Sequence, residues 1–151
     1  MDLVSINVRA VTVDDAKAWA ALYGGYRAFY ALPEDPAAVT RTWQWVLNGE
    51  HGLTGLVATA NEIPVGLANL RWFARPSTAA MALYLDDLYT APDMRARGVG
   101  RALLDAAAEL AARDGASIVR WITAADNADA RRLYDSVAQE TPWVTYDMSP
   151  R

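Results

Sequence analysis

A mixed α/β sandwich with elements in the order β-α-α-β-β-β-α-β-α-β is the fold class that this sequence predicts. Stretches of strand alternation and of helical spacing follow one another along the chain. A Leu- and Tyr-rich strand over residues 83 to 90 runs directly into a helix that opens on glycines. No repeat, low-complexity tract or linker interrupts the 151 residues, so a single domain over 1–151 is expected.

Val4, Ile6 and Val8 alternate with Ser5, Asn7 and Arg9, which predicts a strand over residues 4 to 11. Thr12 stands three residues before Asp15, a capping-box spacing with Asp in place of Glu, and opens a first helix. Gly24-Gly25 is expected to weaken or break that helix after about Tyr23. The chain turns at Pro33-Glu34-Asp35-Pro36, and a second helix is expected from Ala37 to Leu47, ended by Asn48-Gly49. Leu53–Ala60 and Ile63–Phe73 read as a hairpin about Asn61-Glu62, followed by a loop from Arg75-Pro76-Ser77. After the strand at 83 to 90, Ala91-Pro92-Asp93 stops the ladder, because proline has no N–H to give it. Apolar positions 99, 103, 106, 107 and 110 share one face of the next helix, which Gly115 caps behind Arg113. A short strand Ile118–Ile122, a helix over residues 128 to 138 behind Asp126-Asn127, and a last strand Thr141–Met148 complete the order.

Bulk composition excludes several classes of function. The chain holds no cysteine, which removes disulfides, thiolate metal sites and a cysteine nucleophile. Its one histidine, His51, follows Asn48-Gly49-Glu50 in a loop, where an exposed, non-catalytic residue is expected; no histidine-based zinc site is expected either. A formal charge of −4 argues against general nucleic-acid binding and suits a cationic substrate. Met1-Asp2-Leu3-Val4 lacks the basic start of a secretory leader, and no apolar run approaches a membrane span. A cytoplasmic protein with no membrane partner is therefore expected.

Strand, glycine loop and helix together make a holder for anions. The first N–H groups of a helix have no backbone partner, and the macrodipole makes that end partly positive. Gly98 and Gly100 allow close approach to the backbone, while Arg95, Arg97 and Arg101 add full charges around Ala96 and Val99. A dinucleotide fingerprint would need a third glycine at position 103, which is Leu, and a triphosphate loop would need Gly-Lys-Ser/Thr where this helix reads Gly-Arg-Ala. Taken alone, Arg95 to Gly100 reads equally well as a tight turn with solvated arginines.

The flanking residues add context. Arg95-x-x-Gly98-x-Gly100 follows Leu85-Asp86-Asp87-Leu88-Tyr89-Thr90, precedes an alanine-rich helix, and is joined downstream by Asn127-Ala128-Asp129-Ala130-Arg131-Arg132-Leu133-Tyr134. This pattern resembles the acetyl-CoA-binding motif and the Asn-x-x-Ala-x-x-Leu-Tyr signature of the GNAT superfamily of N-acetyltransferases, in the manner of its histone and polyamine branch. The resemblance covers essentially the whole chain. It implies the GNAT fold, acetyl-CoA as cosubstrate without a metal, and a small-molecule or peptide amine as acceptor; it leaves a homodimer open. It also implies that Leu88, Tyr89 and Thr90 hold the pantetheine arm like an added strand, with the pyrophosphate on Arg95, Ala96, Arg97, Gly98, Val99, Gly100 and Arg101. Asn127 and Ala130 would border the cofactor at the next helix.

Three further groups carry two readings each. By periodicity Tyr134 is an anchoring core tyrosine; by resemblance its hydroxyl protonates the departing thiolate. Asp86 and Asp87 point to opposite faces of a regular strand, so only one enters a shared cleft unless a bulge intervenes. They either pair with an arginine such as Arg71 or Arg120 or, as the resemblance implies, bind the acceptor amine and relay its proton, Asp86 before Asp87. Tyr26 and Tyr30 either pack the core or line the acceptor pocket as aromatic walls for a cation. Fold alone also leaves open a non-catalytic acyl-CoA-binding module.

Overall fold

The computed structural model describes residues 4–151; Met1, Asp2 and Leu3, on which the expectation about a leader partly rests, lie outside them. Contacts divide the chain into one unit ending at Trp121 and a second over Ile122–Arg151. In the first unit β1 (Ile6–Ala10), β2 (Leu53–Ala60), β3 (Ile63–Arg75), β4 (Ala80–Thr90) and β5 (Val119–Arg120) form one sheet in the order β1-β2-β3-β4-β5. The first four are antiparallel to their neighbours, and β5 runs parallel to β4, which makes the sheet mixed. The helices are α1 (Ala16–Phe29), α2 (Pro36–Asn48) and α3 (Val99–Asp114).

Local chemistry sets the ends of these elements. The Asp15 carboxylate accepts the Thr12 N–H at 2.7 Å, the reach-back of the expected capping box, and is clamped by both Arg9 guanidinium nitrogens at 2.7 and 2.9 Å. Asp35 caps α2 by accepting the Ala38 N–H at 3.0 Å, Pro36 occupies the first turn, and Gly49 ends the helix in the left-handed region. Asn61 and Glu62 both have positive φ, the requirement of a two-residue hairpin turn whose twist matches its strands.

The sheet carries helices on both faces. Leu67 joins Trp19, Leu22, Tyr23, Val46, Val57 and Tyr89 in a buried cluster under α1 and α2. Gly66, one residue earlier and so on the opposite face, lies so close to α3 that a Cβ there would stand 2.7 Å from Val99 Cγ1. Of the expected α3 stripe Val99, Leu103 and Ala107 are buried and Ala106 and Leu110 half-buried, while Leu104 and Ala111, outside that stripe, are buried as well.

Three expectations need correcting. Gly24 and Gly25 do not break α1, which continues to Phe29. A Cβ at Gly25 would stand 2.5 Å from Tyr89 Oη, so this glycine lets helix and sheet approach rather than ending the helix. β3 extends to Arg75, and β4 begins already at Ala80, because the two strands pair from end to end. Finally, Thr141–Met148 is not a strand. Trp143, Val144, Tyr146 and Met148 are all more than 70 % exposed there, and no ladder forms. Strand propensity describes how a side chain packs on a pleated surface and is not realised without a paired neighbour. The second unit holds one helix, α4 (Ala128–Val137). Among the described residues no helix is long and apolar enough to cross a membrane.

Candidate active site

β4 is paired with β3 along its whole length, but β5 meets it only at Leu83 and Tyr84. From Leu85 to Thr90 the other edge of β4 therefore has no ladder to β5. The Ala91 N–H bonds the Val65 carbonyl of β3 at 2.8 Å. Alternation then turns the backbone groups of Thr90 and Leu88 away from β3, toward that open edge. Tyr89 differs: its backbone faces Leu67, and its ring is buried in the core cluster.

Beyond Thr90 the chain makes one 3-10 turn, Pro92–Met94, and reaches the glycine loop. Arg95 Nε donates to the Thr90 carbonyl at 3.3 Å, and its guanidinium lies 5.4 Å from the Phe29 ring centroid and 5.6 Å from that of Tyr89. Arg95 thus ties the loop to β4 and to the end of α1. Ala96 and Gly98 both take positive φ, 61° and 85°, and Gly98 is the residue that enters α3. A Cβ at Gly98 would meet nothing within 4 Å, so the space above it is open. The Val99 side chain is committed to the core, leaving only its N–H for the loop. Gly100 lies in the first turn, where N–H groups have no helical partner. Arg97 is exposed, and Arg101, also exposed, stands 3.6 Å from Asp105.

The two carboxylates sit at a bulge. Asn69 pairs with Asp87 and Leu70 with Leu85, so β4 carries one residue, Asp86, that β3 does not match. Asp87 accepts from Asn69 Nδ2 at 3.0 Å, and Asp86 accepts from Arg71 Nε at 2.8 Å. Asn69 and Arg71 are two apart on β3 and share the face of Leu67. The bulge has therefore turned both acids toward the α1 face, which a regular strand would not do. Asp86 is held above the ordinary carboxylate range by burial, opposed by the Arg71 hydrogen bond and charge and reinforced by the charge of Asp87.

Facing these acids is an aromatic row on α1. Ring centroids step from Trp19 to Tyr23 at 4.8 Å, Tyr23 to Tyr26 at 5.5 Å and Tyr26 to Tyr30 at 4.9 Å, and Tyr26 meets Tyr89 edge-on at 6.4 Å. Burial, the Asp87 charge and a hydrogen bond to that carboxylate push the Tyr23 and Tyr26 phenols well above their usual range. Both therefore stay protonated beside Asp87. Tyr30 closes the row at the helix end, half exposed.

In the second unit Asn127 precedes α4, and its carbonyl takes the Arg131 N–H at 3.0 Å. Ala130 and Tyr134 follow at spacings of three and seven, near one side of the helix; both are half-buried. His51 is exposed, its ring edge-on to Trp45 at 4.9 Å.

The first unit thus gathers Asp86, Asp87, Tyr26, Tyr30, Tyr89 and Arg95 around one end of β4. Sequence reasoning passed over Asn69, and it named Tyr23 without a role. A signal for Asn69 exists: it is the one polar residue in Val65-Gly66-Leu67-Ala68-Asn69-Leu70, an otherwise apolar stretch of strand. Tyr23 belongs to the same helical face as Tyr26 and Tyr30, at spacings of three and seven.

Comparison with known proteins bears on this arrangement. The model of the acetyltransferase (GNAT) family matches residues 19–138. The D-amino-acid N-acetyltransferase HPA3 of Saccharomyces cerevisiae is 29 % identical over 143 residues, covering 93 % of this chain and 89 % of its own. The thialysine N-epsilon-acetyltransferase of Caenorhabditis elegans is 32 % identical over 99 residues, 62 % of this chain and 61 % of its own. Among solved structures, the aminoglycoside N-acetyltransferase AAC(6')-Iy in complex with CoA superposes with a TM-score of 0.83 at 17 % identity, covering 97 % of this chain and 95 % of that one, which shows a common fold. With the family pattern matched over most of its length and the same fold built around β4 and α3, this chain belongs to the GNAT family of acetyltransferases.

Proposed function

We propose that this protein transfers the acetyl group of acetyl-CoA to a primary amine by direct attack in a ternary complex. The acceptor is a small cationic amine or a lysine-like side chain, and residues 1–151 act as one cytoplasmic domain. The observation that carries this reading is the bulge at Asp86, which puts two carboxylates on one face of β4 just before its open edge and the α3 N-terminus. The residues present fit acetyl-CoA: unladdered backbone at Leu88 and Thr90 suits the amide groups of a pantetheine arm, and the open space at Gly98 suits a pyrophosphate. Arg97, Gly100 and Arg101 would complete the phosphate side, and Asn127 and Ala130 correspond to the signature residues of the family. When bound, this cosubstrate supplies an activated thioester.

Each residue then has a step. Asp87, with Tyr26 and Tyr30, holds the cationic acceptor. Asp86, whose affinity for protons burial has raised, takes the proton that the ammonium must lose, directly or through water. The amine nitrogen forms the C–N bond as the C–S bond breaks, a β4 backbone N–H stabilises the carbonyl oxygen, and Tyr134 returns a proton to the thiolate. With no cysteine, no thiol of the chain carries the acetyl group. A D-amino acid and thialysine, the acceptors named for two relatives, both present a primary amine and head the test panel. Thiol release from acetyl-CoA is measured with them, with diamines and with neutral amines. Cationic primary amines should turn over best, and Asp86→Asn should lower their kcat/KM far more than it weakens acetyl-CoA binding. Binding of acetyl-CoA with no thiol release from any amine would leave a binding module in place of an enzyme.

A further inference from the structure

Asn69 is an expensive residue where it stands. It is 1 % exposed, and its Oδ1 is buried with no hydrogen-bond partner among the described residues. Its neighbours along β3, Ala68 and Leu70, are buried and apolar. A buried acceptor without a partner opposes folding, and an apolar side chain of similar size would remove that penalty. What Asn69 does provide is one N–H, directed at Asp87 Oδ2 at 3.0 Å directly across the strand pair.

We infer that Asn69 is a positioning residue, which aims the Asp87 carboxylate at the ammonium group of the acceptor. The inference rests on the acetyltransferase reading above and deepens it. Asp87 lies immediately past the bulge, where the backbone is least regular, so its side chain needs an external reference. Asn69 supplies one from β3 by a hydrogen bond of 3.0 Å, while the Tyr23 and Tyr26 phenols of α1 lie near the same carboxylate. The tyrosines are part of the aromatic row carried by α1, whereas Asn69 stands in the sheet directly opposite Asp87. The other charged groups near the cluster are Asp86 on the same strand, Arg71 on β3, which is taken up by Asp86, and Arg27 on α1.

Two variants test the inference. Asn69→Leu keeps the volume, removes the orphaned acceptor and deletes the donor. Its thermal midpoint should equal or exceed that of the wild type, and calorimetry should find acetyl-CoA affinity unchanged. KM for a cationic amine should nevertheless rise about tenfold or more, the loss expected for a hydrogen bond to a charged group, with a smaller change for a neutral amine. Asn69→Asp places a second carboxyl 3.0 Å from the first, where the two share a proton at low pH and repel when both ionise. The ratio of its kcat/KM to that of the wild type should therefore rise as pH falls, because the shared proton restores the missing donor. A purely structural asparagine would lower stability and leave this ratio flat with pH. Wild-type kinetics for cationic amines in both variants, with an active wild-type enzyme, would overturn the role of Asn69 alone. A wild type that acetylates no amine would overturn the acetyltransferase reading and the inference with it.

Discussion

Gly98→Ala separates the backbone role of the loop from its role toward a ligand. Gly98 has φ of 85° at the start of α3, a conformation that costs an L-residue about 1–2 kcal/mol. The added Cβ meets nothing within 4 Å, so no steric term joins that cost. For a chain of this length, each kcal/mol is about 2–4 °C in Tm, and the expected loss is about 2–8 °C. Gly115 supplies the control. It caps the other end of the same helix with φ of 82° and has the same empty surroundings, so Gly115→Ala should lose a similar amount. The two variants should part when acetyl-CoA is added. At a hundred times its Kd a ligand stabilises by about 2.7 kcal/mol, a readily measured rise in midpoint. Gly115→Ala should keep that rise and Gly98→Ala should lose most of it, because the new methyl group occupies the space at the α3 N-terminus. Differential scanning fluorimetry of the three proteins over an acetyl-CoA titration reads both effects. Equal ligand-induced shifts in the two variants would refute the assignment of this loop to the cofactor.

Tyr134→Phe should lower kcat about 10²-fold with KM little changed, measured where chemistry limits the rate; an unchanged kcat returns Tyr134 to the role of a packing residue. Gly25→Ala should destabilise the fold by about 1–3 kcal/mol although alanine is the better helix former, because its Cβ stands 2.5 Å from Tyr89 Oη; a gain in urea midpoint would show that Tyr89 moves aside freely. Arg9 hydrogen bonds hold the Asp15 carboxyl below its ordinary value of 3.8, so the stability from this pair is complete above that pH. It is lost as pH falls through the lower folded-state value. The urea midpoint of the wild type should therefore fall in that acid window more steeply than that of Asp15→Asn, and parallel curves would deny the pair a role.

Legibility in the sequence followed the range of the interaction that decided each feature. The capping box at Asp15 and the ends at Gly49 and Gly115 depend on residues within one turn and are readable from spacing, whereas Asp35, expected in a turn, is the cap of α2. The hairpin at Asn61-Glu62 and the glycine loop at Arg95 to Gly100 were local too. Gly25 was misjudged because a glycine marks either a break or a close approach, and only the packing partner, Tyr89, sixty-four positions away, decides between them. Thr141–Met148 was misjudged for the complementary reason: β-propensity is visible in one segment, but a strand exists only as half of a pair.

The acids of β4 show why a site is harder to read than a fold. Adjacent residues in a strand point to opposite faces, so Asp86-Asp87 read alone offers one candidate to each side. A bulge is a mismatch of residue count between two strands, and neither strand's sequence records how many residues its neighbour spends over the same distance. Only the register, Asn69 with Asp87 and Leu70 with Leu85, reveals that Asp86 is extra and that both acids face α1. The same register explains why Asn69 escaped notice. Inside an apolar run a single asparagine looks like an imperfection of the core, and its meaning appears only once the residue across the ladder is a carboxylate. A sequence therefore declares its site residues most clearly where they are contiguous, as in the glycine loop. It conceals them where the chemistry is assembled across a strand pair.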